Sequence, residues 1–274
     1  MSLPAQVIVF GGFDDLKSRD VRLLEETAKL GSLTVMLWTD KILQQATGRP
    51  PKFPLAERSY FLNAIRYVSR VVELDGQSMT DSLPEIPGLR PTIWADAAAS
   101  ANTMREKFCR EGGINYRVFS VDELRGFPEP PPMPSAPGKK KVVATGCYDW
   151  FHSGHVRFTE EASTYGDLYV CLGSDANVRL LKGKGHPLLS QEERRYVVGS
   201  IKYVKQSLIT TGSGWVDADP EIRRLKPDIY VVNEDGDKGG KREYCAEMGI
   251  EYLVLKRTPA PGLPERSSTD LRGF

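Results

Sequence analysis

The sequence predicts an α/β protein of two tandem units, each a parallel sheet with helices on both faces. Three observations predict it. A proline-rich stretch divides the chain nearly in half. The two halves repeat one another. Each half alternates short apolar runs with amphipathic ones, the pattern of strands and covering helices.

The divider comes first. Six of the ten residues from Pro128 to Pro137 are proline, and Lys139-Lys140-Lys141 follows. Such a stretch favours an extended conformation that cannot join a packed core. It reads as a linker over 128–141, between a domain over 1–127 and a second over 142–274.

The repeat is colinear. Gly11, Asp14, Ser18, Val21, Arg22, Glu25, Glu26, Gly31 and Asp40 recur 135 positions later. Glu57-Arg58, Tyr60, Tyr67-Val68, Pro91 and Ile93 recur at 136. Cys109, Glu111, Gly113-Ile114 and Tyr116 recur as Cys245, Glu247, Gly249-Ile250 and Tyr252. The chain is therefore two copies of one unit.

The second copy reads in order as follows. Val142 to Thr145 is a buried strand, Gly146 to Gly154 a loop, and His155 to Tyr165 a helix. Asp167 to Gly173 is the next strand. Ser190 to Tyr203 is an amphipathic helix with Ser190 as N-cap and Glu193 three residues on, a capping box. Asp228 to Val232 is a strand, Lys241 to Met248 a helix stopped by Gly249, and Glu251 to Leu255 the last strand. In such a sheet, ligands sit beyond the carboxyl ends of the strands.

Composition excludes several classes. In 274 residues, 37 Lys+Arg against 36 Asp+Glu leave a net charge of +1. A nucleic-acid binder normally carries a clear basic excess. The longest apolar runs, such as Leu33 to Trp38, are too short to span a bilayer. The first residues lack the basic and apolar regions of a signal peptide. Cys109, Cys147, Cys171 and Cys245 show no CxxC spacing, so neither a zinc cage nor a disulfide framework is indicated. A reducing cytoplasm is the expected compartment.

Two of the three histidines fall together, in His152-Ser153-Gly154-His155 just after the first strand of the second copy. Glycine allows close approach to the backbone, and the starting helix offers unpaired N–H groups. Two imidazoles there can donate hydrogen bonds to phosphate oxygens.

The run Gly146-Cys147-Tyr148-Asp149-Trp150-Phe151-His152-Ser153-Gly154-His155 resembles the HxGH signature of the cytidylyltransferase-like nucleotidyltransferases. Arg257-Thr258, with Ser267-Ser268-Thr269 further on, resembles their second signature. The resemblance covers the second copy and implies two Rossmann-like nucleotidyltransferase units. It also implies a reaction. A substrate phosphate attacks the α-phosphorus of a nucleoside triphosphate, pyrophosphate leaves, and the site positions groups and stabilises charge.

Residue by residue, the resemblance implies that His152 and His155 hold the α/β-phosphate region. Lys182 or Lys184 contacts phosphates, and Arg257 binds the triphosphate. Ser267, Ser268 and Thr269 offer hydroxyls to its far end. Gly146, Cys147, Tyr148, Gly154 and Arg194 lie at the nucleotide, with Asn233 and Asp235 near base and ribose. Asp149 and Trp215 face the acceptor. No metal ligand is expected from protein; Mg²⁺ arrives with the triphosphate.

CTP is the first expectation for the donor and ATP the second, because Gly146-Cys147-aromatic-Asp149 and Lys182-Gly183 also resemble heptose-phosphate adenylyltransferases. A non-catalytic nucleotide-binding protein is the other class. The acceptor is expected to be a small phosphorylated alcohol, polyol or sugar. Thr145 stands where choline- and ethanolamine-phosphate enzymes carry aspartate, which disfavours a cationic amino alcohol. The sequence also departs from the family in the lengthened Pro259 to Glu265 segment. In the first copy, Lys17-Ser18-Arg19-Asp20 replaces the histidine motif. That copy is expected to be inactive and to form a pseudo-dimer with the second, with homodimerisation possible. The tandem layout resembles ethanolamine-phosphate cytidylyltransferase, in which the first copy is the better preserved.

Overall fold

The computed structural model describes residues 4–74, 81–130, 133–134 and 136–267. The chain forms two compact units, Met1–Gly126 and Phe127–Phe274. The first contains β1 (Gln6–Gly11), α1 (Ser18–Ala28), β2 (Ser32–Leu37), α2 (Asp40–Thr47), α3 (Leu55–Ala64), β3 (Arg70–Glu73), β4 (Ile93–Ala97), α4 (Thr103–Glu111) and β5 (Asn115–Phe119). The second contains β6 (Lys141–Gly146), α5 (Ser153–Ala162), β7 (Asp167–Leu172), α6 (Asp175–Lys182), α7 (Gln191–Gly199), β8 (Val204–Ile209), α8 (Asp219–Leu225), β9 (Ile229–Asn233), α9 (Lys241–Met248) and β10 (Glu251–Leu255).

Each unit is one five-stranded sheet, in the orders β3-β2-β1-β4-β5 and β8-β7-β6-β9-β10. Every strand pair is parallel. The two orders are the same order, so the sequence repeat is a repeat of topology. The strands read as apolar because both faces are covered: Val142, Val143 and Ala144 are wholly buried. A shared glycine shows the constraint most directly. A Cβ at Gly31 would meet the Ala5 carbonyl oxygen at 2.2 Å, and one at Gly166 would meet that of Lys140 at 2.2 Å.

The proline stretch is more than a spacer. Pro130 is buried, and a Cβ on Gly199 would touch its ring at 2.9 Å. The Phe127 carbonyl accepts from Arg195 Nη2 at 2.9 Å, and the Phe127 ring lies 6.0 Å from Tyr196. Proline has a rigid apolar ring, so an extended segment can still lay it against a neighbouring helix.

Some boundaries move. The helix expected to reach Tyr203 ends at Gly199, where the Ser200 hydroxyl turns back onto the Val197 carbonyl at 2.7 Å. Ser190 caps it as expected, accepting from the Glu193 N–H. The sequence pattern did not single out α6, β8 or α8. Leu180 and Leu181 on α6 point outward, which blurs its amphipathic face.

The sheet also sets where a ligand can enter. β6 pairs with β7 over six residues, but with β9 over only Val142↔Ile229 and Val143↔Tyr230. The strand order reverses between β6 and β9, and their carboxyl ends part there.

Candidate active site

A cleft of about 280 Å³ opens at that parting. It is lined by Gly146, Cys147, Tyr148, Asp149, His152, Gly154, His155 and Lys182 from the β6 and α6 side. Asn233, Asp235, Lys241, Arg257 and Ser267 line it from the β9 and β10 side.

The histidines are built into the start of α5. His152 is its N-cap, and Nδ1 accepts the Gly154 N–H at 3.1 Å. His155 Nδ1 accepts the His152 N–H at 3.4 Å. The rings lie 4.0 Å apart. An Nδ1 that accepts a hydrogen bond carries no proton, so each neutral ring is the Nε2–H tautomer and presents Nε2 as a donor. His152 is 3% exposed, and its Nε2 is buried without a partner among the described residues.

Burial, reinforced by Arg257 and Arg266, lowers the His152 pKa to about 4. Burial, then His152, Arg257 and Lys182, puts His155 well below its ordinary value. Both rings are therefore neutral donors near pH 7. An anion on Nε2 would favour the charged form and reverse part of that shift.

The supports of these rings come from the same loop. Tyr148, at φ 53, turns its ring under Gly146, where a Cβ would meet it at 2.8 Å. That ring meets His155 edge-on at 5.2 Å, and Phe151 stacks on His155 at 5.2 Å. A Cβ on Gly154 would sit 3.0 Å from the His152 ring, so any side chain there would press on the imidazole. Burial raises the Cys147 thiol above its ordinary value, with Lys182 and Arg194 opposing. The thiol is thus not set up as a nucleophile.

Arg257 donates to Asp235 Oδ2 and to the Arg266 carbonyl, both at 2.6 Å. It holds the 256–267 segment against the loop after β9, so the lengthened proline-rich segment still returns Ser267 to the cleft.

Three expected residues lie elsewhere. Arg194 is 1% exposed and serves as a strut. It donates to the carbonyls of Cys147 at 2.6 Å, Gly173 at 2.8 Å and Leu189 at 3.2 Å, and to Asp175 at 2.8 Å. Lys184 is exposed in the turn beyond α6 and does not line the cleft. Trp215 is 48% exposed on a short turn against Gly239, with Lys238 Nζ 5.8 Å over its ring. Asp149 does line the cleft, but its carboxylate accepts from the Leu188 and Leu189 N–H groups and meets His186 Nδ1 at 3.0 Å. It ties down the 186–189 loop. Ser268 and Thr269 lie outside the described residues.

The first unit supplies a control. Arg58 donates to the carbonyls of Gly12, Trp38 and Phe53 and to Asp40, as Arg194 does one repeat later. Asp14 accepts the Lys52 and Phe53 N–H groups, as Asp149 does those of Leu188 and Leu189. These contacts persist where the histidines are replaced, so they belong to the fold. Asp20 stands in place of His155 and accepts the Lys17 N–H at 2.8 Å.

Sequence reading missed Lys241, a charged residue of the cleft, along with Phe158, Val232 and Gly236. Lys241 matches Arg105 at the 136-residue offset, basic in both copies but not identical, and a search for identities passes over it.

The cytidylyltransferase-like family model matches residues 143–273. Bifunctional protein HldE of Geobacter sulfurreducens is 45% identical over 148 residues, 53% of this chain and 27% of that protein. FAD synthase of Ferroglobus placidus is 38% identical over 120 residues, 43% of this chain and 75% of that protein. A lipopolysaccharide core biosynthesis protein of Thermoplasma volcanium aligns with TM-score 0.38 and 21% identity, over 45% of this chain and 99% of that one. The chain spans only 23% to 35% of the length of HldE relatives it matches. Among the described residues no helix is long and apolar enough to cross a membrane. Given the family match, and an FAD synthase of which three quarters is covered at 38% identity, this chain belongs to the cytidylyltransferase-like nucleotidyltransferases.

Proposed function

We propose that the second unit transfers an adenylyl group from ATP to a small phosphorylated polyol or sugar. The observation that carries the transfer reading is the histidine pair. Two neutral imidazoles are fixed as Nε2–H donors at a helix start, facing a cleft that also holds Lys182 and Arg257.

In the reaction, an oxygen of the acceptor phosphate attacks the α-phosphorus. The bond from that phosphorus to the bridging oxygen breaks, and pyrophosphate leaves with the electron pair. His152 and His155 donate to phosphoryl oxygens as charge shifts toward the leaving group. Lys182, Arg257 and Ser267 hold the remaining phosphate oxygens, so binding aligns attack and departure. The Gly154, His155 and Val156 N–H groups are taken by His152, so the start of α5 contributes the imidazoles, and Gly154 keeps a side chain from crowding them.

The cleft offers nitrogen donors rather than a cage of oxygen ligands, and its carboxylates Asp149 and Asp235 already hold protein groups. Mg²⁺ therefore fits as an ion carried by the triphosphate oxygens, where it would neutralise phosphate charge.

ATP is favoured over CTP by the FAD synthase relative, whose product contains an adenylyl group. The heptose-phosphate adenylyltransferase resemblance of Gly146 to Asp149 points the same way. CTP remains the second reading, favoured by the Asp149 to His155 pattern. At the first strand's end, Thr145 Oγ1 meets the Tyr230 hydroxyl at 2.6 Å, an uncharged pair that suits a hydroxyl-bearing acceptor. The first unit carries no transfer chemistry in this reading, because Asp20 and Arg19 replace His155 and Gly154.

Thermal unfolding with Mg²⁺ and each of ATP, CTP, GTP and UTP tests the donor. A ligand at 100 times its Kd adds about 2.7 kcal/mol, a shift of several degrees. A shift with ATP is expected, followed by pyrophosphate release with sugar phosphates. A shift with CTP alone would select the second reading, and none with any nucleotide would overturn both.

A further inference from the structure

Lys241 is 9% exposed at the first turn of α9, yet it lines the cleft. Its Nζ donates to the Gly236 carbonyl at 3.1 Å and forms no ion pair among the described residues. A nearly buried ammonium with one neutral acceptor is costly to keep charged, since it has lost water without gaining an anion in contact. Burial, then Lys238, lowers its pKa from the ordinary lysine value; Asp217, Asp237 and Asp235 pull the other way, but none forms an ion pair with it.

The two units treat this position differently. Ile93 and Ile229 hold the same place beside the first strand of each sheet, fixing the 136-residue offset. At that offset Arg105 matches Lys241, and Asp96 matches Val232. Arg105 Nη1 donates to both Asp96 oxygens, at 2.9 and 2.8 Å, and Asp96 also accepts from the Tyr116 hydroxyl at 2.7 Å. In the first unit, then, the protein supplies the anion. In the second, Val232 removes that carboxylate and the cation faces the cleft.

We propose that Lys241 is a phosphate-binding residue of the second unit, its counter-anion supplied by substrate rather than by protein. This rests on reading the cleft as the transfer site. The phosphate could be that of the nucleotide or of the acceptor, and both are tested. Lys241 lies on the β9 side, across the cleft from Lys182 on α6, so the two lysines bracket the anion.

The test is calorimetric titration of wild type, Lys241→Met and Lys241→Arg. The probes are Mg²⁺-ATP, Mg²⁺-CTP, inorganic pyrophosphate and inorganic phosphate, with thermal unfolding of each variant alone. Lys241→Met should weaken at least one probe by roughly tenfold or more, as for a charged hydrogen bond worth about 1.5–3 kcal/mol. Lys241→Arg should keep binding within a few-fold. The unfolding temperature of Lys241→Met should hold or rise. Loss of the nucleotide probes points to the triphosphate, and loss of inorganic phosphate alone points to the acceptor. Wild type that binds nucleotide while Lys241→Met binds every probe equally overturns the assignment to Lys241 and leaves the transfer reading intact. Lys241→Met that unfolds well below wild type shows a structural tie to Gly236 and overturns it too. Wild type that binds none of the probes overturns both.

Discussion

The guanidinium of Arg194 holds the carbonyl of Cys147 at 2.6 Å and, through its other nitrogens, two further carbonyls. This fixes the loop that precedes the histidines from outside the cleft, which Arg194 does not line. Arg194→Met should strand three buried acceptors and cost about 3 kcal/mol or more. Arg58→Met should cost a similar amount in the first unit. Denaturant unfolding measures both, and nucleotide binding should fall only for Arg194→Met.

His155→Ala removes a cleft-lining donor and three ring contacts. Turnover should fall by roughly 10²–10³, the range for loss of one charge-stabilising donor. Steady-state kinetics with the donor nucleotide should show the loss mainly in kcat. Unchanged kcat would remove His155 from the reaction. Asp20→Ala, at the matching place in the first unit, should leave kcat unaltered.

The His152 pKa of about 4 has a stability consequence. The unfolded state binds this proton from about pH 6.5 downward, and the folded state only near pH 4. Stability from keeping His152 neutral is thus present above pH 6.5 and lost as pH falls toward 4, a loss of roughly 3 kcal/mol. The unfolding temperature should drop over that window. His152→Asn should show a shallower drop, and parallel curves for the two proteins would refute the assignment.

Asp96 and Arg105 form a buried pair in the first unit. Asp96→Ala strands the Arg105 charge and should cost about 3–5 kcal/mol. Nucleotidyl transfer by the folded protein should be unaffected. Calorimetric unfolding beside a transfer assay separates the two effects.

The sequence carried the parallel sheets because strands such as β6, β7 and β9 are apolar runs bounded by turn residues, and because the duplication doubles every signal; β8, with Lys205, Gln206 and Ser207 in it, gave no such run. It carried the histidine loop because two imidazoles around a glycine fit few other purposes. It could not show that Arg194 is consumed by carbonyls, since an arginine that clamps backbone and one that clamps phosphate look alike in sequence. Trp215 was equally opaque, because its environment is set by Gly239, which lies far along the chain. Lys241 was hidden for the opposite reason: its meaning lies in a carboxylate absent from Val232, visible only when the copies are laid strand on strand.

The two-residue pairing of β6 with β9 also decides what closes the gap between them. Beyond Val143 and Tyr230 no ladder bond joins these strands, so side chains make the next link. The first unit pairs as briefly, at Val7 and Ile8, and there Phe10 and Trp94 stack 4.2 Å apart. At the matching places in the second unit stand Thr145 and Tyr230, whose hydroxyls meet at 2.6 Å. One copy closes this junction with stacked rings and the other with a polar clasp, and the copy with the polar clasp is the one that kept its histidines.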